Sequence, residues 1–115
     1  MNRNEFREYF DDQTECSVDE INALISKCLP LNTPSEKRQI AMEETAELAI
    51  ECSKMNRNQG DIYGLLEEMA DVFICLEYLQ KLHGFTDQQI LRAMAVKLKR
   101  YWNGHGPKGE NKSET

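Results

Sequence analysis

The chain lacks the features that build membrane proteins and disulfide-stabilised secreted domains. It has no continuous apolar run near the roughly 18 residues of a membrane span, and residues 1 to 8 are too polar for a signal peptide. No C-x-x-C spacing occurs, so free buried thiols are favoured over disulfides or a zinc site. The cysteines are Cys16, Cys28, Cys52 and Cys75. These absences predict a soluble, cytoplasmic protein with no membrane partner.

Basic residues are also scarce. The sequence carries 14 Lys and Arg against 20 Asp and Glu, a net charge of −6. An excess of negative charge disfavours a protein that follows the phosphate backbone of a nucleic acid, so no nucleic-acid partner is expected. With 115 residues the chain is long enough for one domain, and at this size a partner subunit would help to complete the core.

Helix-start chemistry recurs along the chain. A hydroxyl residue is followed three positions later by an acid or amide in Ser17 to Glu20, Thr33 to Glu36 and Thr86 to Gln89. We predict helices over residues 18–28, 34–55, 61–83 and 87–101. The fold class is therefore all-α, with one helical domain over residues 1–102 and a disordered tail over 103–115.

The third predicted helix is apolar over more than half of its circumference, which one neighbouring helix cannot cover. We therefore expect a four-helix bundle completed by oligomerisation. Phe6, Tyr9 and Phe10 recur at helical spacing before it, which predicts a short additional helix that packs on the bundle or across a dimer. Stacking on a nucleobase is the alternative role for these rings.

Two acidic pairs are the most informative feature of the chain. They are Glu44-Thr45-Ala46-Glu47 and Glu68-Met69-Ala70-Asp71. Each pair points two carboxylates the same way from a helix, because residues three apart are surface neighbours. The turn-like stretch 56–61 lies midway between the pairs and predicts a helical hairpin. The pairs should then face each other.

Four converging carboxylates repel one another, and a divalent cation would offset that repulsion. Carboxylate oxygens are hard ligands, which favours Mg²⁺, or alternatively Mn²⁺, over zinc or copper. A ferritin-like di-iron site needs E-x-x-H on two helices, and neither His83 nor His105 follows a glutamate at that spacing. Glu43, Glu51 and Glu67 either orient groups around the metal or are solvated surface residues.

The strings Glu43-Glu44-Thr45-Ala46-Glu47 and Glu67-Glu68-Met69-Ala70-Asp71 resemble the signature of the MazG-like all-α nucleoside triphosphate pyrophosphohydrolases. The resemblance extends over about residues 37 to 100 and includes the basic segment 97–100. It departs from the related phosphoribosyl-ATP pyrophosphohydrolases, which usually carry Tyr-His soon after the aspartate.

The resemblance implies Mg²⁺-dependent cleavage of a nucleoside or deoxynucleoside triphosphate to the monophosphate and pyrophosphate. It assigns four residues as catalytic metal ligands, namely Glu44, Glu47, Glu68 and Asp71. It gives phosphate binding to Lys97 and Arg100, and it implies a homodimer or homotetramer. The alternative function is a non-catalytic helical interaction or oligomerisation module whose acidic face is merely solvated.

Overall fold

All regular secondary structure is helical in the residues that the computed structural model describes, 1 to 106, and no strand forms among them. The all-α prediction is confirmed. The helices are α1 (Arg3–Asp12), α2 (Val18–Cys28), α3 (Pro34–Asn56), α4 (Ile62–His83) and α5 (Asp87–His105), with a 3-10 turn at Leu29–Leu31. Two compact units divide the chain, one spanning Met1–Leu82 with α1 to α4, the other starting at His83 with α5. The closed four-helix bundle stays a prediction.

The helices begin where the hydroxyl residues predicted them to begin. At the start of α3 the Thr33 hydroxyl accepts a hydrogen bond from the Glu36 N–H at 3.1 Å, and the Glu36 carboxylate accepts one from the Thr33 N–H at 2.9 Å. Thr86 and Gln89 form the same reciprocal pair before α5. Each pair satisfies backbone donors that the first turn leaves without partners.

The C-terminal helix is longer than predicted. It continues past Tyr101 to His105, so residues 103–105, assigned to a disordered tail from the sequence, are helical. The remainder of that predicted tail, 107–115, lies outside the described residues. No helix within residues 1 to 106 combines the length and the apolarity needed to cross a bilayer.

The turn between α3 and α4 sets up the predicted hairpin. Asn58 adopts a left-handed conformation, φ 56°, which asparagine tolerates better than most residues. Asp61 then starts α4, because its carboxylate accepts a hydrogen bond from the Gly64 N–H at 2.9 Å. The chain therefore reverses direction within the few residues after Asn56.

The facing residues of α3 and α4 show an antiparallel register. Three pairs record it: Glu51 with Gly64, Glu44 with Asp71, and Lys37 with Tyr78. Each step is seven residues backwards on α3 and seven forwards on α4, or two helical turns. This register brings the two acidic pairs to the same level, as the hairpin predicted.

The core of the first unit lies where α2, α3 and α4 meet. Ile25, Ala41 and Cys75 are 4%, 8% and 4% exposed, one residue from each helix. The ammonium of Lys37 is also buried there, donating to the Cys28 carbonyl at 3.1 Å and lying 3.9 Å from the centre of the Tyr78 ring. Burial of an ammonium group requires such partners.

The cysteines are free, as predicted, but only one of them is buried. Cys75 lies in the core, Cys28 is half-buried, and Cys16 and Cys52 are exposed. The prediction that all four thiols are buried was wrong, because burial depends on which face of each helix meets a neighbour, and spacing along the chain did not show that.

Candidate metal centre

Three of the predicted ligands converge between α3 and α4. One carboxylate oxygen from each of Glu44, Glu68 and Asp71 lies within 4.8 Å of the other two, and all three side chains are half-buried. Glu44 comes from α3, whereas Glu68 and Asp71 stand one turn apart on α4. The register of the hairpin therefore produces the cluster, and oxygens at this separation can share one cation.

Crowding of like charges changes how these acids titrate. Burial raises the pKa of Glu44 to about 7, aided by the charge of Asp71 and by a hydrogen bond between the two carboxyl groups. The pKa of Glu68 is also raised, first by burial and then by the charges of Asp71 and Glu67. Without a cation, protons neutralise part of the cluster near neutral pH.

The fourth predicted ligand lies apart from this cluster. Glu47 is exposed and lines the same cavity, and its charge contributes to raising the pKa of Glu44 and of Glu68. It is not among the carboxylates whose oxygens meet within 4.8 Å. Glu47 is thus close enough to act on the cluster electrostatically, and its role as a ligand stays a prediction.

A cavity of about 610 Å³ opens beside the cluster. Its lining includes the acids of both pairs together with Glu67. Apolar residues also line it, namely Met1 and Phe6 from the N-terminal segment and Ala70 and Ile74 from α4. The volume falls within the range of about 300 to 1,000 Å³ that is typical of small-molecule sites.

An arginine that the sequence did not single out lies at the edge of this cavity. The Arg3 guanidinium contacts the Glu51 carboxylate at 3.1 Å and the Glu68 carboxylate at 4.0 Å, and it donates a hydrogen bond to Glu67. It is therefore one positive charge beside three carboxylates, one of which belongs to the cluster of Glu44, Glu68 and Asp71. Glu51 and Glu67 are paired with Arg3 and are not simply solvated, and their role in orienting groups around a metal stays a prediction.

Because Gly64 has no side chain, the ion pair of Arg3 and Glu51 can occupy the space beside it. A Cβ atom at Gly64 would lie 2.8 Å from a Glu51 oxygen and 3.2 Å from the Arg3 guanidinium carbon. Glu51 is only 6% exposed and receives a second cation, Lys54, at 3.4 Å. A carboxylate buried this deeply remains charged only with such partners.

The rest of α1 is held on α4 by an aromatic contact. The Arg7 guanidinium lies 4.6 Å from the centre of the Tyr63 ring, and Phe10 meets the edge of the same ring at 5.9 Å between centroids. The predicted N-terminal helix therefore exists and packs on the first unit. Arg3 and Arg7 share the face of Phe6 and Phe10 by helical spacing, which is the signal that could have identified Arg3.

The other predicted residues lie away from the cluster or in the second unit. Glu43 is exposed on α3 and accepts a hydrogen bond from Gln39 at 3.3 Å. Lys97 and Arg100 are exposed on α5. Their role in phosphate binding stays a prediction.

The chemistry of the cluster fits a hard divalent cation. The Glu68 Oε2 atom is buried and, among the described residues, has no hydrogen-bond partner. A buried carboxylate oxygen without a partner is costly, and a cation bound by Glu44, Glu68 and Asp71 would satisfy it. All donors are carboxylate oxygens, the set that Mg²⁺ and Mn²⁺ prefer.

Comparison of the chain with protein-family models, with curated proteins and with solved structures finds no match.

Proposed function

We propose that the chain is a Mg²⁺-dependent nucleoside triphosphate pyrophosphohydrolase of MazG-like type, acting on free nucleotides of the cytoplasm. The observation that carries the proposal is the meeting of Glu44, Glu68 and Asp71, with one buried, unpartnered carboxylate oxygen on Glu68, beside a cavity of about 610 Å³. Mn²⁺ is an acceptable substitute for Mg²⁺ because its ligand preference is similar.

The reaction adds water to the α-phosphorus and breaks the bond to the oxygen that bridges the α and β phosphates. The products are a monophosphate and pyrophosphate, and the proton lost by water passes to solvent or to a carboxylate of the cavity. When bound, Mg²⁺ supplies positive charge that offsets the charge gathering on the phosphate oxygens.

The protein residues prepare the site for this chemistry. Glu44, Glu68 and Asp71 would hold the cation as carboxylates, so its binding would favour the ionised form of Glu44 and would release the proton that the raised pKa keeps there. Arg3 holds Glu67 and Glu68 from the other side. Met1 and Phe6 add apolar side chains to the lining of the cavity.

A panel of standard and damaged nucleoside triphosphates, assayed with Mg²⁺ for release of pyrophosphate, tests the proposal. Glu68→Gln and Asp71→Asn should each lower kcat by about 100-fold or more, since loss even of an outer partner of a metal costs about 10- to 100-fold. Helicity should not change. Glu43→Gln is the matched control because Glu43 lies on the same hairpin, is exposed and lies outside the cavity.

Two results would overturn the proposal. One is full activity of Glu68→Gln, which would remove the assigned ligand. The other is failure of the wild-type protein to release pyrophosphate from any nucleotide of the panel, which would favour the interaction module.

We also propose that the enzyme is a homo-oligomer, with a dimer as its smallest form. Five apolar side chains of α4 are between 38% and 65% exposed: Ile62, Leu66, Met69, Phe73 and Leu76. Their spacing alternates between four and three residues, which is the pattern of a helix that packs along a second helix. A second copy of α4 would cover this stripe with an identical one.

The oligomer is tested by light scattering after size exclusion. Leu76→Glu should shift the protein to the monomer mass, because it places a charge within the proposed apolar contact. Leu31→Glu is the control, since Leu31 is exposed in the 3-10 turn and lies outside the stripe. A wild-type protein that is monomeric at high concentration would refute this part of the proposal.

A further inference from the structure

A second cavity adjoins the acidic one. It encloses about 310 Å³ between the N-terminal half of α2 and the middle of α4, and Ile74 lines both cavities. Its walls are mostly apolar, with Ile21 and Ile25 from α2 and Phe73 from α4. The two cavities therefore share Ile74 as a lining residue, and the lining is acidic in the first and mostly apolar in the second.

The spacing of Asp71 and Glu77 along α4 is compatible with the separation of phosphate and base in a nucleotide. Asp71, Ile74 and Glu77 follow one another at three-residue steps, so Glu77 lies about 9 Å along the helix axis from Asp71 and about 120° around it, with Ile74 between them. In a nucleotide the sugar likewise lies between the α-phosphate and the base. A triphosphate held at the acidic cluster can therefore reach the second cavity with its base.

The second cavity also offers polar groups that can read a base edge. Asn22 from α2 and Glu77 from α4 line it, and neither side chain has a hydrogen-bond or ion-pair partner among residues 1 to 106. An asparagine amide both donates and accepts, whereas a carboxylate only accepts. Together they match an edge that carries an exocyclic amino group beside a ring acceptor, as in cytosine and adenine.

We infer that the cavity between α2 and α4 is the nucleobase subsite, that Asn22 and Glu77 read the base edge, and that the substrate class is cytosine or adenine nucleoside triphosphates. This inference rests on the proposed function for the position of the phosphates. It predicts that uracil and thymine nucleotides are disfavoured, because their carbonyl oxygen at the corresponding position would face the Glu77 carboxylate.

Phe6 is the competing partner for the base. Its ring lines the acidic cavity and packs on Phe10 at 6.0 Å between centroids. A base stacked there would occupy the same cavity as the phosphates, whereas the second cavity leaves the acidic one free for them. This difference makes Phe6→Ala an informative variant.

The test measures binding of α,β-methylene analogues of dCTP, dATP and dTTP by calorimetry in the presence of Mg²⁺. Wild type should bind the dCTP or dATP analogue on the order of 10-fold or more tightly than the dTTP analogue. Asn22→Ala should weaken binding of the preferred analogue about 10-fold, and Glu77→Gln should reduce the preference over dTTP by a similar factor. The Kd of both variants for pyrophosphate in the presence of Mg²⁺ should stay within about twofold of the wild-type value.

Leu24→Ala is the matched control, because Leu24 is exposed on the same helix as Asn22 and does not line the cavity. The inference is overturned if Asn22→Ala and Glu77→Gln bind like wild type, if only Phe6→Ala weakens binding, or if wild type binds none of the analogues. Selective binding without release of pyrophosphate from dCTP or dATP would refute the hydrolase and leave the base subsite standing. Hydrolysis without selectivity would support the hydrolase and refute the base subsite.

Discussion

Replacement of Arg3 by alanine tests how the N-terminal helix is tied to the acidic site. The guanidinium contacts Glu51 at 3.1 Å and also reaches Glu67 and Glu68. Without it, Glu51 stays buried with only Lys54 nearby, and the carboxylates of α4 lose their counter-charge. We expect Arg3→Ala to lower the free energy of unfolding.

The magnitude follows from the burial of the two partners. Removal of one partner from a fully buried pair costs about 3 to 5 kcal/mol. The Glu51 side chain is 8% exposed, but that of Arg3 is 32% exposed, so water and Lys54 replace part of the interaction. We therefore expect a loss of about 2 kcal/mol.

Urea denaturation, followed by circular dichroism in the absence of Mg²⁺, measures this loss. Arg7→Ala is the matched control on the same helix, and loss of its contact with Tyr63 should cost no more than about 1 kcal/mol. A double-mutant cycle with Glu51→Gln should show coupling of about 1 kcal/mol or more between Arg3 and Glu51. Equal losses for Arg3→Ala and Arg7→Ala, with no coupling, would refute the reasoning.

Three further predictions concern the charged groups of the first unit. Because the folded pKa of Glu44 is about 7, above its unfolded value of 4.5, its contribution to stability is fully present below about pH 4.5 and is lost as pH rises through 7. In chelator, the free energy of unfolding of wild type should therefore fall as the pH rises over this range. In Glu44→Gln the fall should be smaller by about 1 to 3 kcal/mol, measured by urea titrations at several pH values. Saturating Mg²⁺ should raise Tm by several degrees in wild type but not in Glu68→Gln, measured by differential scanning fluorimetry, and an equal shift in both would exclude Glu68 as a ligand. Lys37→Ala should cost about 2 kcal/mol in urea, since it leaves the Asn32 side chain and the Cys28 carbonyl without their donor, and a loss below about 0.5 kcal/mol would contradict this.

The helices and the hairpin could be predicted because their causes are local. A hydroxyl residue at Ser17, Thr33 or Thr86 caps the helix that follows it, whatever the rest of the chain does. The turn after Asn56 sets the register of α3 against α4, and that register brings Glu44 level with Asp71. The length of α5 was underestimated because the polar composition after Trp102 indicated a tail, although such residues are also compatible with a helix.

The sequence by itself determined the helix starts, the turn and the levelling of the acidic pairs, since each depends on residues close along the chain. Only the tertiary structure decided that Arg3 joins the acidic site, that Glu47 stays outside the tight cluster, and that Glu51 is buried. Those outcomes depend on how far each helix is rotated about its axis and on where α1 packs against helices that are many residues away in sequence. Small differences in packing settle such rotations, and no short-range pattern in the chain encodes them.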